Sequence, residues 1–495
     1  MSKTNKRVQK IHVSFIHAGN LGQVPGKLMR YRYDKGLLFL SIFTIVLSGC
    51  ATYHKSPLNR KTVSEGLKPP SVEAVRIEAK SIRHPILKPM AFNIHDGLSP
   101  DEAAVLAVIA NPTLRAIRDQ RGIAAAQLLQ AGILPNPQFA ASLDVPTGGD
   151  TQDTVNAFGL GLGWNITSLI TRGAKQEVAR RHAQSVDLDI AWKEWQVAQS
   201  ARLNLYRLVF SEKELVLARN IVKQRKENLA AVQQGFSIGA VTGLELDAAK
   251  KAYQQAQNRV LILESEHEHE RHALNHILGI SPDSLIVLQR DIRPLPWKHL
   301  PTAQKIIAGL EYRRLDLLAL KKGYESQDAQ VRAAILSQFP KIDIGLNYAR
   351  DTSDVITTGF AAAIDLPFFD RNQGRIAETR AGRKQLFDEY LARVFDAHSK
   401  IATILGDMKS LQKQIKATER SFQISTQLLE TYKKALEEGN ADILVYNNVR
   451  NDTDNLQLKI LQLKRNLSDM GIALEIAAGE YIEQADAGTK RTRHE

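Results

Sequence analysis

The most chemically loaded stretch of the sequence is Glu264-Ser-Glu-His-Glu-His-Glu-Arg-His-Ala-Leu-Asn-His276. His269, His272 and His276 recur at i, i+3 and i+7. That spacing puts three imidazoles on one helix face, where two or three can share a zinc or copper ion. The spacing departs from His-Glu-x-x-His, so no metalloprotease helix is written here. The Glu and Arg between the histidines make a solvated helix face the simpler reading. These three residues stand as weak metal candidates, and no metal is assigned. Elsewhere there is no phosphate-cradling glycine loop, no nucleophile elbow and no Cys–His pair. Nothing converges on catalysis, and no cofactor is expected. Trp192 and Trp195 lie on a long helical stretch and read as packing between helices rather than as stacking platforms.

The single cysteine, Cys50, excludes an internal disulfide. It follows the apolar run Leu37–Leu47, itself preceded by Arg30, Arg32 and Lys35. A basic region, a short apolar region and small residues before a cut describe a secretory leader. The run is too short for a membrane helix, which needs about 20 residues. Leu47-Ser-Gly-Cys50 resembles the bacterial lipobox, in which the cysteine is acylated and becomes the mature N-terminus. Residues 1–49 therefore read as a lipoprotein signal peptide, with Met1 and Met29 both standing as start positions. Ala51 after the cysteine, in place of Asp, favours the outer membrane. The leader also explains much of the basic balance. Of the formal charge of +13, its eight Lys or Arg against one Asp account for +7, leaving +6 spread along helices. No basic block remains to hold nucleic acid, and none is expected as a partner.

The elements around these residues are unusually long. From Gly374 to Gly439, alternating strides of three and four land on Phe387, Tyr390, Val394, Ala397, Ile401, Ile404, Met408, Leu411, Ile415, Thr418, Phe422, Ser425, Leu429, Tyr432 and Leu436. An apolar seam repeating every 3.5 residues is a coiled-coil pattern. At ~1.5 Å per residue the run makes a helix of roughly 90 Å. A second such helix runs from about Arg172 to Phe236, turns at Gly235–Gly243 and returns from Leu244 to Leu278. Before it, Phe139, Ala141, Leu143 and Val145 alternate with Ala140, Ser142 and Asp144. Phe158, Leu160, Leu162, Trp164 and Ile166 alternate with glycines and Asn165. Both are period-2 strands with one apolar and one small or polar face. Residues 51–97, with Pro57, Pro69, Pro70, Pro85 and Pro89 and no clear period, read as an extended segment.

The programme then repeats. Pro137 answers Pro340, Gly173 answers Gly374, and Gly239 answers Gly439. Leu278-Gly279 answers Ala478-Gly479. A second strand pair follows: Ile342, Ile344, Leu346 and Tyr348, then Phe360, Ala362, Ile364 and Leu366. The organisation expected is a lipidated extended segment over 50–98 and a first repeat over 99–290. The first repeat has strands near 138–146 and 156–166 and a hairpin tip near 235–246. A second repeat over 291–482 has strands near 341–349 and 357–367 and a tip near 437–446, before a polar tail over 483–495. Four strands of membrane-spanning length cannot close a barrel by themselves, since single-chain barrels have at least eight. Two copies would supply eight strands, and three would supply twelve.

With the lipobox, the duplicated layout, the Leu134-Pro-Asn-Pro137 step into the first strand and the turns at Gly239 and Gly439, the sequence resembles the TolC-type outer-membrane factor family, in its lipoprotein branch. The resemblance covers about residues 99 to 482 and the leader, and rests on the ordered set occurring twice. It implies a mainly α fold with a small β-barrel contribution. Three copies would form a twelve-stranded barrel in the outer membrane, continuous with a long α-helical coiled-coil barrel across the periplasm. It also implies a homotrimer fed by a periplasmic membrane-fusion adaptor and an inner-membrane pump. The turns at Gly235–Leu246 and Gly439–Tyr446 would be the periplasmic tips, with Gly239, Gly243 and Gly439 in the adaptor-docking turns. Some relatives carry carboxylates six and nine residues after the second turn glycine. Here Val445 and Asn448 stand there, which puts an acidic ring in doubt. The nearest acids are Asp442, Glu245 and Asp247. They either favour cations in the pore or, for Asp442, simply cap the return helix. The function implied is an exit duct for efflux or type I secretion. The alternative is a periplasmic coiled-coil lipoprotein acting as scaffold or adaptor, which would not need four lipid-length strands.

Overall fold

The computed structural model describes residues 51–294 and 297–482. The chain divides into two compact units, residues 1–66 and 67–495. In the first, the described part holds one short helix, Arg60–Gly66, opened by the Asn59 side chain accepting from the Thr62 amide at 3.0 Å. The leader expected over 1–49 and Cys50 lie outside the described residues, as does the tail over 483–495.

The second unit begins with a further helix, Val72–Ser81, N-capped by Ser71. An extended segment was expected over 51–97, and these two helices correct that reading. The prolines bound the helices instead of excluding them. Ser71 caps directly after Pro70, and Val75 and Ala79, one turn apart, are the side chains that enter the core. Helix α1 (Pro100–Ala110) opens with a reciprocal capping box between Ser99 and Glu102. Asn111 ends α1 and caps α2 (Pro112–Gly132). Strands β1 (Gln138–Asp144) and β2 (Ala157–Asn165) follow. Next comes α3 (Thr167–Ser237), 71 residues or about 107 Å, paired with α4 (Gly243–Leu278). α3 starts five residues before the expected Arg172, because Thr167 bonds Pro340 and Ile342 across the sheet and the chain turns without a linker.

After two short helices, Ala303–Ile307 and Leu310–Arg313, the second repeat supplies α5 (Leu315–Leu336), β3 (Ile342–Arg350) and β4 (Ile356–Ile364). It ends with α6 (Gln373–Glu437) and α7 (Ile443–Ala478). Val145, Ile166 and Leu366 were expected in strands and fall just outside them. On α6 the seam is inward from Tyr390 on. Its two polar positions are satisfied: Ser425 bonds Thr453 at 2.6 Å, and Thr418 bonds its own helix at Gln414.

Two equivalent cores sit where the short and long helices meet. In the first, Ala201, Leu205 and Leu208 of α3 pack with Leu274 and Leu278 of α4. In the second, Ile401, Leu405 and Met408 of α6 pack with Leu474 and Ala478 of α7. Each pair differs by 200 in number. Trp192 and Trp195 are buried in a third cluster between the repeats, so they pack as expected. The long and short helices form one layer. Its neighbours run α2–α3–α5–α6 beside the sheet and α4–α3–α7–α6 toward the hairpin turns. α2 continues α4 end to end, the Asn111 amide donating to Ile277 O at 2.9 Å. α5 continues α7 in the same manner, through Arg314 to Ala477 O at 3.4 Å.

Candidate functional site

The sheet order is β1-β2-β3-β4, antiparallel throughout. Register fixes what each face presents. One cross-strand row is Phe139, Leu162, Leu346 and Phe360, and the next row, on the other face, is Ala140, Gly161, Asn347 and Gly359. The alternation carries across all four strands, with Leu160 and Tyr348 on the first face and Gly159, Gly163 and Gly345 on the second. The four side chains of the apolar row are 49–70% exposed. No core covers them, and a contiguous bare apolar sheet face needs a covering phase. On the small-residue face Asn165 donates to Asp343 at 2.8 Å, so polar groups there pair with each other.

β1 and β4 are left as unpaired edges, and α2 and α6 are the edges of the adjoining helix layer. The two layers thus end at the same places. An unpaired strand edge is a template for another strand, and here each chain offers two that do not match each other. This is a head-to-tail geometry, which generates a ring where the rotation between copies closes. Among the described residues no helix is long and apolar enough to cross a membrane, which leaves the sheet's role untouched.

At the far end lie the two hairpin turns. Gly239 and Gly439 each have φ of +75°, a backbone that side-chain-bearing residues resist, and Gly243 is the first residue of α4. Glu245 is engaged in a capping box with Thr242, which holds its carboxyl below the usual range. Asp442 caps α7, accepting from the Leu444 amide at 2.7 Å. Asp247 pairs with Lys250 at 3.1 Å. Val445 and Asn448 are exposed. The capping reading of Asp442 therefore describes what its side chain does within one chain.

Just behind the turns the two hairpins are tied together by specific pairs whose partners the sequence does not show. Arg225 of α3 pairs with Asp454 of α7 and donates to Asn451 at 2.8 Å. Arg450 donates to Gln224 at 2.8 Å and lies over the Tyr446 ring. Burial pulls the Arg225 guanidinium down and pushes the Asp454 carboxyl up, each charge partly offsetting the other. Higher on the same seam Arg207 pairs with Asp469 at 2.9 Å, and Arg202 with Glu475 at 2.5 Å. Burial by itself would lower Arg202, but Glu475, Tyr206, Tyr481 and Asp101 outweigh it and the net shift is upward. The scattered charges of the long helices read most simply as solvated faces and inter-helix pairs, and these are inter-helix pairs. The available signal was position, since Glu475 stands beside Leu474 among apolar neighbours.

The histidine patch does not gather. His269, His272 and His276 are exposed on α4, with His272 4.0 Å from Glu268. No group of three or more His, Cys, Asp or Glu able to hold a metal ion occurs among the described residues.

The family model of the outer membrane efflux proteins matches residues 104–280 and 307–480, one stretch per repeat. The chain belongs to this family. It is 23% identical over 237 residues to outer membrane protein OprJ of Pseudomonas aeruginosa, covering 46% of this chain and 49% of OprJ, about half that relative's length. It is 21% identical over 296 residues to the cobalt-zinc-cadmium resistance protein CzcC of Cupriavidus metallidurans, covering 60% of this chain and 69% of CzcC. Among solved structures, the outer-membrane channel OprN superposes with a TM-score of 0.67 at 17% identity, over 87% of this chain and 98% of that one. At that identity the likeness speaks for the fold. A mainly helical chain with a small four-stranded sheet is thus the family's fold, and the family places the chain in the outer membrane, reaching into the periplasm.

Proposed function

We propose that this chain is the exit duct of a tripartite efflux system. It would pass substrates delivered by an inner-membrane pump and a periplasmic adaptor, with no catalysis of its own. The observation that carries the reading is the shared ending of sheet and helix layer at β1/α2 and β4/α6. Joining β4 of one copy to β1 of the next, three times over, gives twelve strands with no free edge. The apolar rows then face lipid and the glycine-rich rows face the lumen. The helix layer closes at the same joints into a tube beneath the barrel.

In this reading residues 1–49 are a leader and Cys50 anchors each mature chain in outer-membrane lipid. Residues 99–290 and 291–482 are the two repeats, and the turns at Gly239 and Gly439 meet the adaptor. The seam between α3 and α7 holds the two hairpins of each chain together. Opening splays them once the adaptor's contacts favour the parted arrangement over the one seen here. The pump supplies the energy and chooses the substrate. Reconstitution in planar bilayers tests the reading: ion-conducting steps are expected from purified protein, and an assembled complex that never conducts refutes it.

A further inference from the structure

Inside the chain the two repeats meet along α3 and α7, where Arg207 and Asp469 form a pair at 2.9 Å. The chain's free edges are the counterparts of those same two helices, since α6 repeats α3 and α4 repeats α7. At this height the offset is 200 on both, as the two cores require: Leu205 answers Leu405, and Leu274 answers Leu474. The counterpart of Arg207 is then Asp407, and the counterpart of Asp469 is His269. Opposite polarities have changed sides. Both residues are exposed, and neither makes an ion pair among the described residues. Likewise Ile472, 2% exposed on α7, answers His272, exposed on α4.

We infer that in the assembled ring α6 of one copy lies against α4 of the next as α3 lies against α7 within a chain. Asp407 of one copy and His269 of its neighbour then form the polar tie between subunits. The inference rests on the ring reading above. A histidine can hold a carboxylate as imidazolium or through a neutral ring N–H. The contact therefore needs no metal, and it gives the exposed histidine face a partner: a second copy of this chain. Other ties have no such counterpart. Arg225 and Asp454 answer Ser425 and Gln254, and Arg202 and Glu475 answer Ala402 and Asn275. Of these ties, only the Arg207–Asp469 pair finds its charges exchanged across the open edges.

The test uses the full-length protein in detergent and three variants: Asp407→Arg, His269→Asp and the two together. Each single change leaves like or unmatched charges facing across every joint. A solvent-accessible pair shifts association by about fivefold, so three joints shift ring dissociation on the order of a hundredfold. The double variant restores opposite charges and returns dissociation toward that of the parent. A double variant that dissociates as readily as the worse single overturns the pair while leaving the ring standing. A parent protein that is monomeric overturns the ring reading and the pair with it.

Discussion

Asp454→Ala tests how the hairpins are held together. The Arg225 side chain is 4% exposed and that of Asp454 17%. Both were stripped of water to make the tie, and Arg450 stands close enough to depress Arg225 further. Removing the carboxylate leaves Arg225 buried with only Asn451 and next to a like charge. Breaking a fully buried pair costs 3–5 kcal/mol. This one keeps some solvent on the acid, so about 2 kcal/mol per chain is expected, between the buried and the surface range. That is a shift of about 30-fold toward the parted hairpins. The readouts are open fraction in planar bilayers and amide exchange over 447–454, both of which should rise. Asp454→Asn keeps an acceptor and should rise less. Arg225→Ala combined with Asp454→Ala removes both charges and should fall back toward the parent, because no unpaired charge remains. If the double variant opens at least as far as Asp454→Ala, or the single variant behaves as the parent, the tie does not hold the hairpins.

Other expectations follow from single residues. Leu346→Lys puts a charge on the apolar face of β3 and should cost about 2–4 kcal/mol of barrel stability, read as a lower urea midpoint in lipid. Asn347→Lys, its neighbour on the other face, should cost almost nothing. Gly239→Ala forces a side chain into φ of +75° with no clash to blame, so about 1–2 kcal/mol of local stability should go, and Gly239→Asn should recover most of it. His84 accepts from the Ile86 and Leu87 amides and donates to Ala191 O at 2.9 Å, and burial depresses its pKa below 6.5. Because the folded pKa is depressed, this anchor's contribution is complete above 6.5 and is lost as pH falls through that value toward the lowered one. Protection of the Ile86 and Leu87 amides, taken relative to the intrinsic exchange rate at each pH, should fall over that range, and in His84→Asn this protection should lose its pH dependence.

Much of the architecture was legible because it is periodic. The glycine-alternating strand from Phe158 to Trp164, the heptad run through Ile401 and Met408, and the recurrence of Gly239 as Gly439 each report local geometry. Local geometry is what spacing encodes. The helix Val72–Ser81 was hidden because two inward side chains, Val75 and Ala79, are too few to set a period among prolines. The ties between Arg225 and Asp454 and between Arg202 and Glu475 join residues more than 200 positions apart, and an isolated charge carries no sign of its distant partner. For the acids at the tips the sequence leaves both alternatives open. Within one chain the contacts of Asp442 and Glu245 are those of helix caps.

Four strands per chain become a closed barrel only by sharing. The mass of the detergent-extracted complex, measured by native mass spectrometry, tests it most directly. Three chains per particle are expected, each ending its sheet against the next. A particle containing one chain would leave β1 and β4 bare in lipid and would contradict the barrel, its lumen and the duct together.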